Sequence, residues 1–221
     1  MPTTPLSAQP STASAHDRAY LQQLLSLRNQ SAGRVAEIDA AIEQAFVRTV
    51  SMLVLDMCGF SRITARHGII HFLAMLHQME QAARPAIAGN SGEVVKQEAD
   101  NLFAVFSHPA QALEAALDIG RALDAMNAVQ APEAALHVSI GIGYGPTLVI
   151  ADKDLFGHEM NHACKLGEDI AGPGEIYLTG NACRALPEGR YVFSEGQHTI
   201  GGVALPAYRL QGCLYERPLA P

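Results

Sequence analysis

The spacing of apolar side chains changes period several times along this chain, and each change marks an element. Between residues 17 and 46, Leu21, Leu24, Leu25, Val35, Ile38, Ile42 and Phe46 recur mostly at three- and four-residue steps, the period of an amphipathic helix. Asn29 to Gly33 interrupts that run, so two helices are expected, packed on the core or on a partner subunit. Residues 50–55 (Val-Ser-Met-Leu-Val-Leu) form a short apolar run that reads as a buried strand ending at Asp56. Residues 61–87 return to the helical period, as one broken helix or two, with Ile69, Ile70, Phe72, Leu73, Leu76 and Met79 making a broad apolar face. The Gly89-Asn90-Ser91-Gly92 turn leads into a hairpin whose tip lies around residues 96–100 and whose second strand is Leu102-Phe103-Ala104-Val105-Phe106. A helix over residues 109–128 starts on a proline. Strands are expected at 136–144, 148–150, 175–178, 191–193 and 205–210, with a helix at 157–170 and a short one after 178. Strands interleaved with covering helices predict an α+β sandwich with a mixed or antiparallel sheet.

Composition narrows the function classes. A chain of 221 residues with 48% apolar content suits one core of about 160 to 180 residues plus an appendage. Its Pro-, Ser-, Thr- and Ala-rich start predicts a disordered tail at 1–16, then a helical arm at 17–47, a core domain at 48–213 and a C-terminal tail at 214–221. A net charge of −7 argues against a general nucleic-acid or acidic-lipid surface. Cys58, Cys164, Cys183 and Cys213 form no paired motif, and neither an export leader nor an apolar run of membrane-spanning length is present. A soluble protein of the reducing cytoplasm, without membrane insertion or nucleic-acid partner, is the expectation.

Candidate chemistry concentrates where apolar runs meet turns. Asp56 and Asp100 would emerge at fixed positions of the sheet, where two carboxylates can hold a pair of Mg²⁺ or Mn²⁺ ions against a triphosphate. Each is also a common turn residue. After Asp56, the backbone N–H groups of Met57, Cys58, Gly59 and Phe60 approach a helix N-terminus, which favours phosphate, and Gly59 permits close approach. Lys96 and Asp154 offer a donor and an acceptor that together match the edge of adenine better than that of guanine.

Linked segments spread from Ser51 to about Leu210 resemble the catalytic domain of the class III adenylate and guanylate cyclases. They are Leu55-Asp56-Met57-Cys58-Gly59-Phe60-Ser61, Gly92-Glu93-Val94-Val95-Lys96 with Asp100 and Phe103, Ser139-Ile140-Gly141-Ile142-Gly143-Tyr144-Gly145, Asp154-Leu155-Phe156-Gly157 with Asn161, and Gly172-Pro173-Gly174-Glu175-Ile176. The resemblance implies a ferredoxin-like βααββαβ core that converts ATP to 3′,5′-cyclic AMP and pyrophosphate. It implies Asp56 and Asp100 as ligands of two metal ions, Lys96 and Asp154 as the base-selecting pair in its ATP version, and Asn161 as the ribose-orienting residue. Two positions depart from the family pattern: Ala99 stands where glycine is usual, predicting a shifted hairpin tip, and Lys165 stands where an arginine stabilises transition-state charge. Lysine keeps the charge but lacks the planar fork. A weakened cyclase, a nucleotide-binding regulatory module, or a cyclase for GTP or a pyrimidine triphosphate therefore stay open. The resemblance also implies a homodimer in which each site takes its aspartates from one subunit and Lys96, Asp154, Asn161 and Lys165 from the other.

His158-Glu159-Met160-Asn161-His162 competes for attention, since it matches the H-E-x-x-H pattern of zinc peptidases. With nine histidines in the chain such a match arises by chance, and Glu168, Glu175 and His198 are poor third ligands. His67, His71 and His77 read as helix-surface residues, and Cys58 as a packed or phosphate-adjacent thiol.

Overall fold

The computed structural model describes residues 17–131, 134–150, 153–200 and 203–214. The tail expected at 1–16, and that at 214–221 apart from Leu214, lie outside the described residues. Asp17 caps the first helix by accepting from the Tyr20 N–H at 2.9 Å. That helix, α1 (Arg18–Gln30), ends at a single 3₁₀ turn (Ala32–Arg34) and is followed by α2 (Val35–Phe46), so the arm is two helices broken where the sequence breaks its period. Leu21, Leu24, Ile38, Ile42 and Phe46 pack on one another and on Ile150, which fastens the arm to the sheet.

The chain then runs through β1 (Val47–Met57), α3 (Phe60–His67), α4 (Ile69–Gly89), β2 (Glu93–Glu98), β3 (Asn101–Phe106), α5 (Pro109–Asn127) and β4 (Val138–Ile150). This is the βααββαβ order, with the four strands arranged β2-β3-β1-β4 and all antiparallel. Beyond β4 the sheet continues through β6 (Ile176–Thr179), which pairs with β4 in parallel, to β8 (Val203–Cys213) and β7 (Tyr191–Ile200), while β5 (Asp154–Phe156) pairs with the end of β4. Two short helical segments intervene: α6 (His158–Cys164) and α7 (Gly180–Arg184). The fold is α+β, with a mixed sheet flanked by helices.

β1 reads as a continuous apolar run because both its faces are covered. Leu53, Leu55 and Met57 meet Phe72, Met75 and Met79 of α4 and Leu113 and Ile119 of α5. Met52 and Val54 turn the other way, toward Val95, Phe103, Leu155, Met160 and Ala163. Several elements depart from the sequence reading, β5 among them, which was not expected as a strand. The two strands expected at 136–144 and 148–150 are one 13-residue strand, because pairing with β1 carries through Gly145, Pro146 and Thr147. The two short final strands are arms of one long hairpin. The helix expected over 157–170 changes winding, becoming π-helical over Lys165–Ile170.

Candidate active site

Asp56 lies one residue from the end of β1, opposite Asn101 of β3, and Asp100 sits at the tip of the β2–β3 hairpin just beside it. The Met57 N–H donates to the Asp100 carbonyl at 3.3 Å and locks the tip against β1. Both aspartates line one open depression of about 480 Å³ with Met57, Gly59, Phe60 and Arg62. Half-burial, then the charges of Asp100, Glu168 and Asp169, push the Asp56 carboxyl up to about 7. Asn101 Oδ1 is buried nearby without a hydrogen-bond donor. Clustered carboxylates beside an unsatisfied carbonyl oxygen are hard oxygen donors that fit Mg²⁺ or Mn²⁺. Ala99, one residue before Asp100, has φ +53°. Glycine adopts that left-handed conformation freely, and alanine there carries about 1 kcal/mol of strain.

The phosphate loop needs a correction. Of the four N–H groups expected to face an anion, that of Met57 is held by Asp100 and that of Cys58 donates to the His137 carbonyl at 2.9 Å. They are used up fastening β1 to its neighbours. Gly59, at φ +86°, turns the chain into α3, so the expectation of donors toward an anion narrows to the N–H groups at the start of α3, from Gly59 and Phe60 onward. Burial raises the Cys58 thiol pKa above its ordinary value although its Sγ donates to Ser139 Oγ at 3.6 Å, so it is a packed cysteine and not an activated one.

A second cluster forms on β2 and β5. The β2–β3 register slips between Val94 and Lys96, and this bulge sets Lys96 opposite Phe103. The ammonium then lies 4.6 Å from the centre of the Phe103 ring and 3.0 Å from Asp154 Oδ1, with Glu98 at 2.8 Å. Burial opposes the charge on Lys96, but its bonds to Glu98 and Asp154 outweigh it and hold the pKa above the usual lysine value. For Asp154 burial is likewise outweighed, by Lys96, the Leu155 N–H and Arg18, and its pKa falls below the usual carboxylate value. Asp154 opens β5, a strand that was not among those expected from the sequence.

Asn161 and Lys165 come from the helix laid across β4, and three glycines let it come close. Gly141, Gly143 and Gly145 share one face of β4, and a Cβ on Gly141 would stand 2.0 Å from the Ala163 carbonyl oxygen. On Gly145 it would stand 2.9 Å from Glu159 Cγ. Asn161 is exposed on α6, and the Lys165 N–H donates to its carbonyl, which sets the two residues one turn apart. Lys165 is exposed too and pairs with Asp169 at 2.9 Å.

His158, Glu159 and His162 bring ligand atoms within 4.8 Å of one another, a spacing able to hold one metal ion. Glu159 is nevertheless buried, accepting from Asn181 Nδ2 at 2.6 Å on one oxygen and from Thr179 Oγ1 at 2.8 Å and the Tyr144 N–H at 3.4 Å on the other. A carboxylate so engaged pins α6 to β6 and α7, and it is not placed to act as the general base of a peptidase. Of the three histidines expected on a helix surface, His67 and His77 are exposed and His71 is partly buried. The sequence reading missed Arg62, Arg18 and the acidic pair Glu168 and Asp169 beside Asp56. Arg62 carried a signal, a basic residue in the first turn after Gly59; the others had none, because only folding brings them there.

The family model described as adenylate and guanylate cyclase catalytic domain matches residues 42–211. A putative adenylate cyclase 3 of Rhizobium meliloti is 25% identical over 132 residues, covering 60% of this chain and 22% of that protein. An uncharacterised protein of Mycobacterium tuberculosis is 24% identical over 204 residues, covering 92% of this chain and 50% of that one. The chain therefore spans half or less of the length of these relatives. Among solved structures, the adenylate/guanylate cyclase/hydrolase from Silicibacter pomeroyi aligns with a TM-score of 0.64 at 24% identity, covering 74% of this chain and 96% of that chain.

Proposed function

The chain belongs to the adenylate and guanylate cyclase catalytic-domain family, and we propose that it cyclises ATP to 3′,5′-cyclic AMP and pyrophosphate at sites shared between two subunits. The observation that carries this reading is the contact between Lys96 and Asp154, remote in sequence yet 3.0 Å apart, in a chain whose Asp56 and Asp100 line one depression. Lys96 would donate to a ring nitrogen of adenine, and Asp154 would accept from the exocyclic amine. The aromatic face of Phe103 lies under the same ammonium. Gly59 and Phe60 would present N–H groups to the phosphates. Asn161 would orient the ribose so that its 3′-oxygen stands in line with the α-phosphorus, and Lys165 would offset charge developing there.

Asp56 and Asp100 would hold two Mg²⁺ or Mn²⁺ ions, which lower the pKa of the attacking hydroxyl and neutralise phosphate charge. A domain of residues 48–213 preceded by a helical arm at 17–47 is the division we propose. Among the described residues no helix is long and apolar enough to cross a membrane. Four unpaired thiols suit a reducing cytoplasm.

One observation favours a second reading. Lys165 is committed to Asp169 and lacks the fork of an arginine, which suits a module that binds the nucleotide with negligible turnover. Product assays with each of the four ribonucleoside triphosphates and Mg²⁺ or Mn²⁺, run beside calorimetry, separate the two. Cyclic AMP as the main product is the expected result. Metal-dependent ATP binding without any cyclic product would transfer the assignment to the binding module, and a better rate with GTP or a pyrimidine triphosphate would change the substrate.

A further inference from the structure

Asp154 receives a third partner from outside the sheet. Arg18, the first residue of α1, places Nη2 3.0 Å from Asp154 Oδ2, while Lys96 Nζ lies 3.0 Å from Oδ1 and the Leu155 N–H donates to that same Oδ1 at 2.9 Å. The arm is not loosely draped here. Leu21 and Leu24 of α1 pack in one cluster with Ile150 of β4, and Ile150 is the register partner of Asp154, so arm and carboxylate are mounted on the same strand end.

We infer that Arg18 is a positioning residue for base selection: by occupying Oδ2 of Asp154 it leaves that carboxylate one open acceptor direction, enough for an adenine amine and too few for guanine. The inference rests on the base-reading role of Lys96 and Asp154 given above. An ionised carboxylate offers about four lone-pair directions. Lys96 and Leu155 use two of them on Oδ1, and Arg18 uses one on Oδ2. Adenine presents a single amine beside a ring acceptor, and the remaining direction with the Lys96 ammonium answers both. Guanine presents adjacent N–H donors at N1 and at its exocyclic amine, and these need two acceptor directions on the same carboxylate edge. Removing the guanidinium frees the second direction. Arg18 also turns Oδ1 toward Lys96, since an oxygen held from outside fixes the plane of the whole group.

The contact is suited to a test by substitution, because the Arg18 side chain is 51% exposed and an exposed ion pair contributes little to stability. Wild type, Arg18→Ala, Arg18→Gln and Arg18→Lys would be compared as full chains by thermal melting, by displacement of a fluorescent nucleoside triphosphate with ATP or GTP, and by turnover of both. In Arg18→Ala and Arg18→Gln the preference for ATP over GTP should shrink roughly tenfold, the scale of one hydrogen bond, through KM and not kcat. Arg18→Lys should restore part of the preference, and the melting temperature should not move. Unchanged selectivity in both neutral variants would reduce Arg18 to a fastener of the arm. Equal gains on both nucleotides would make it a gate instead of a selector. A wild type that binds neither nucleotide would refute the base site itself, and that result is read without any variant.

Discussion

Asp56 shows how far a single residue's environment can depart from its sequence context. Nothing local distinguishes it from a turn aspartate, yet half-burial and the neighbouring charges of Asp100, Glu168 and Asp169 raise its pKa to about 7. The consequence for the metal-free protein has a definite sign. Between the ordinary aspartate value of 3.8 and about 7 the folded state holds a proton that the unfolded state has released. Stability is therefore greatest at the acid end of that window and falls as pH rises through it. In EDTA the melting temperature should drop between pH 5 and pH 7.5, and Asp56→Asn should flatten that drop. Added Mg²⁺ or Mn²⁺ should recover more stability at pH 7.5 than at pH 5, where protons compete for the ligand. A slope unchanged by Asp56→Asn would place the titrating group elsewhere. Arg62 and Arg18 were missed at this scale because a charged residue in a helix's first turn has many uses, and only its neighbours select one.

The elements that build the site depend on close approach. The alternating glycines of β4 stand in the sequence as part of the resemblance; what they admit, the α6 helix and the π-helical turns after it, was not legible there. Gly167 sits in that stretch, and a Cβ there would stand 3.0 Å from the Gly141 N and the Val54 carbonyl oxygen. The Ala171 N–H reaches back five residues to the Leu166 carbonyl at 2.8 Å, the wider turn that accommodates this contact. Gly141→Ala should accordingly cost about 3 kcal/mol or more, since its Cβ meets backbone, which cannot rotate aside. Denaturant unfolding would measure the loss, and turnover should fall with it as Asn161 and Lys165 are pushed outward. A variant as stable as wild type would show that α6 has room to withdraw. The β2 bulge is the other device of this scale: alternation along Val94, Val95 and Lys96 does not announce it, because the extra residue exists only in relation to β3.

At the scale of the whole molecule, one chain carries both halves of the proposed site, the aspartate pair and the Lys96, Asp154, Asn161 and Lys165 group. If each site takes one half from each subunit, a subunit with Asp56→Ala and one with Lys96→Ala fail for different reasons. In a mixed pair both defects fall in one site and the other is intact. Equal mixing of two inactive variants should then recover about one quarter of wild-type activity, half the pairs being mixed and each having one working site of two. Product assay after mixing and re-equilibration measures it. No recovery, with mixed pairs shown to have formed, would mean that each subunit keeps a complete site to itself.

The sequence by itself determined the alternation of strands and helices, with 61–87 left as one broken helix or two, the two helices of the arm and the buried β1, because periodicity and turn chemistry are local properties that survive in one dimension; the βααββαβ core as such came from the resemblance. The sequence also supplied the resemblance that named Asp56, Asp100, Lys96, Asp154, Asn161 and Lys165. What only the tertiary structure decided is which of these meet: Asp56 opposite Asn101 beside the hairpin tip, Lys96 moved by a bulge onto Phe103 and Asp154, and Arg18 brought to Asp154 by an arm packed on β4. The physical reason is the range of the forces. A turn or a helical face is set by neighbours in sequence, whereas a bulge, a perturbed carboxylate and an ion pair between an arm and a sheet are set by neighbours in space.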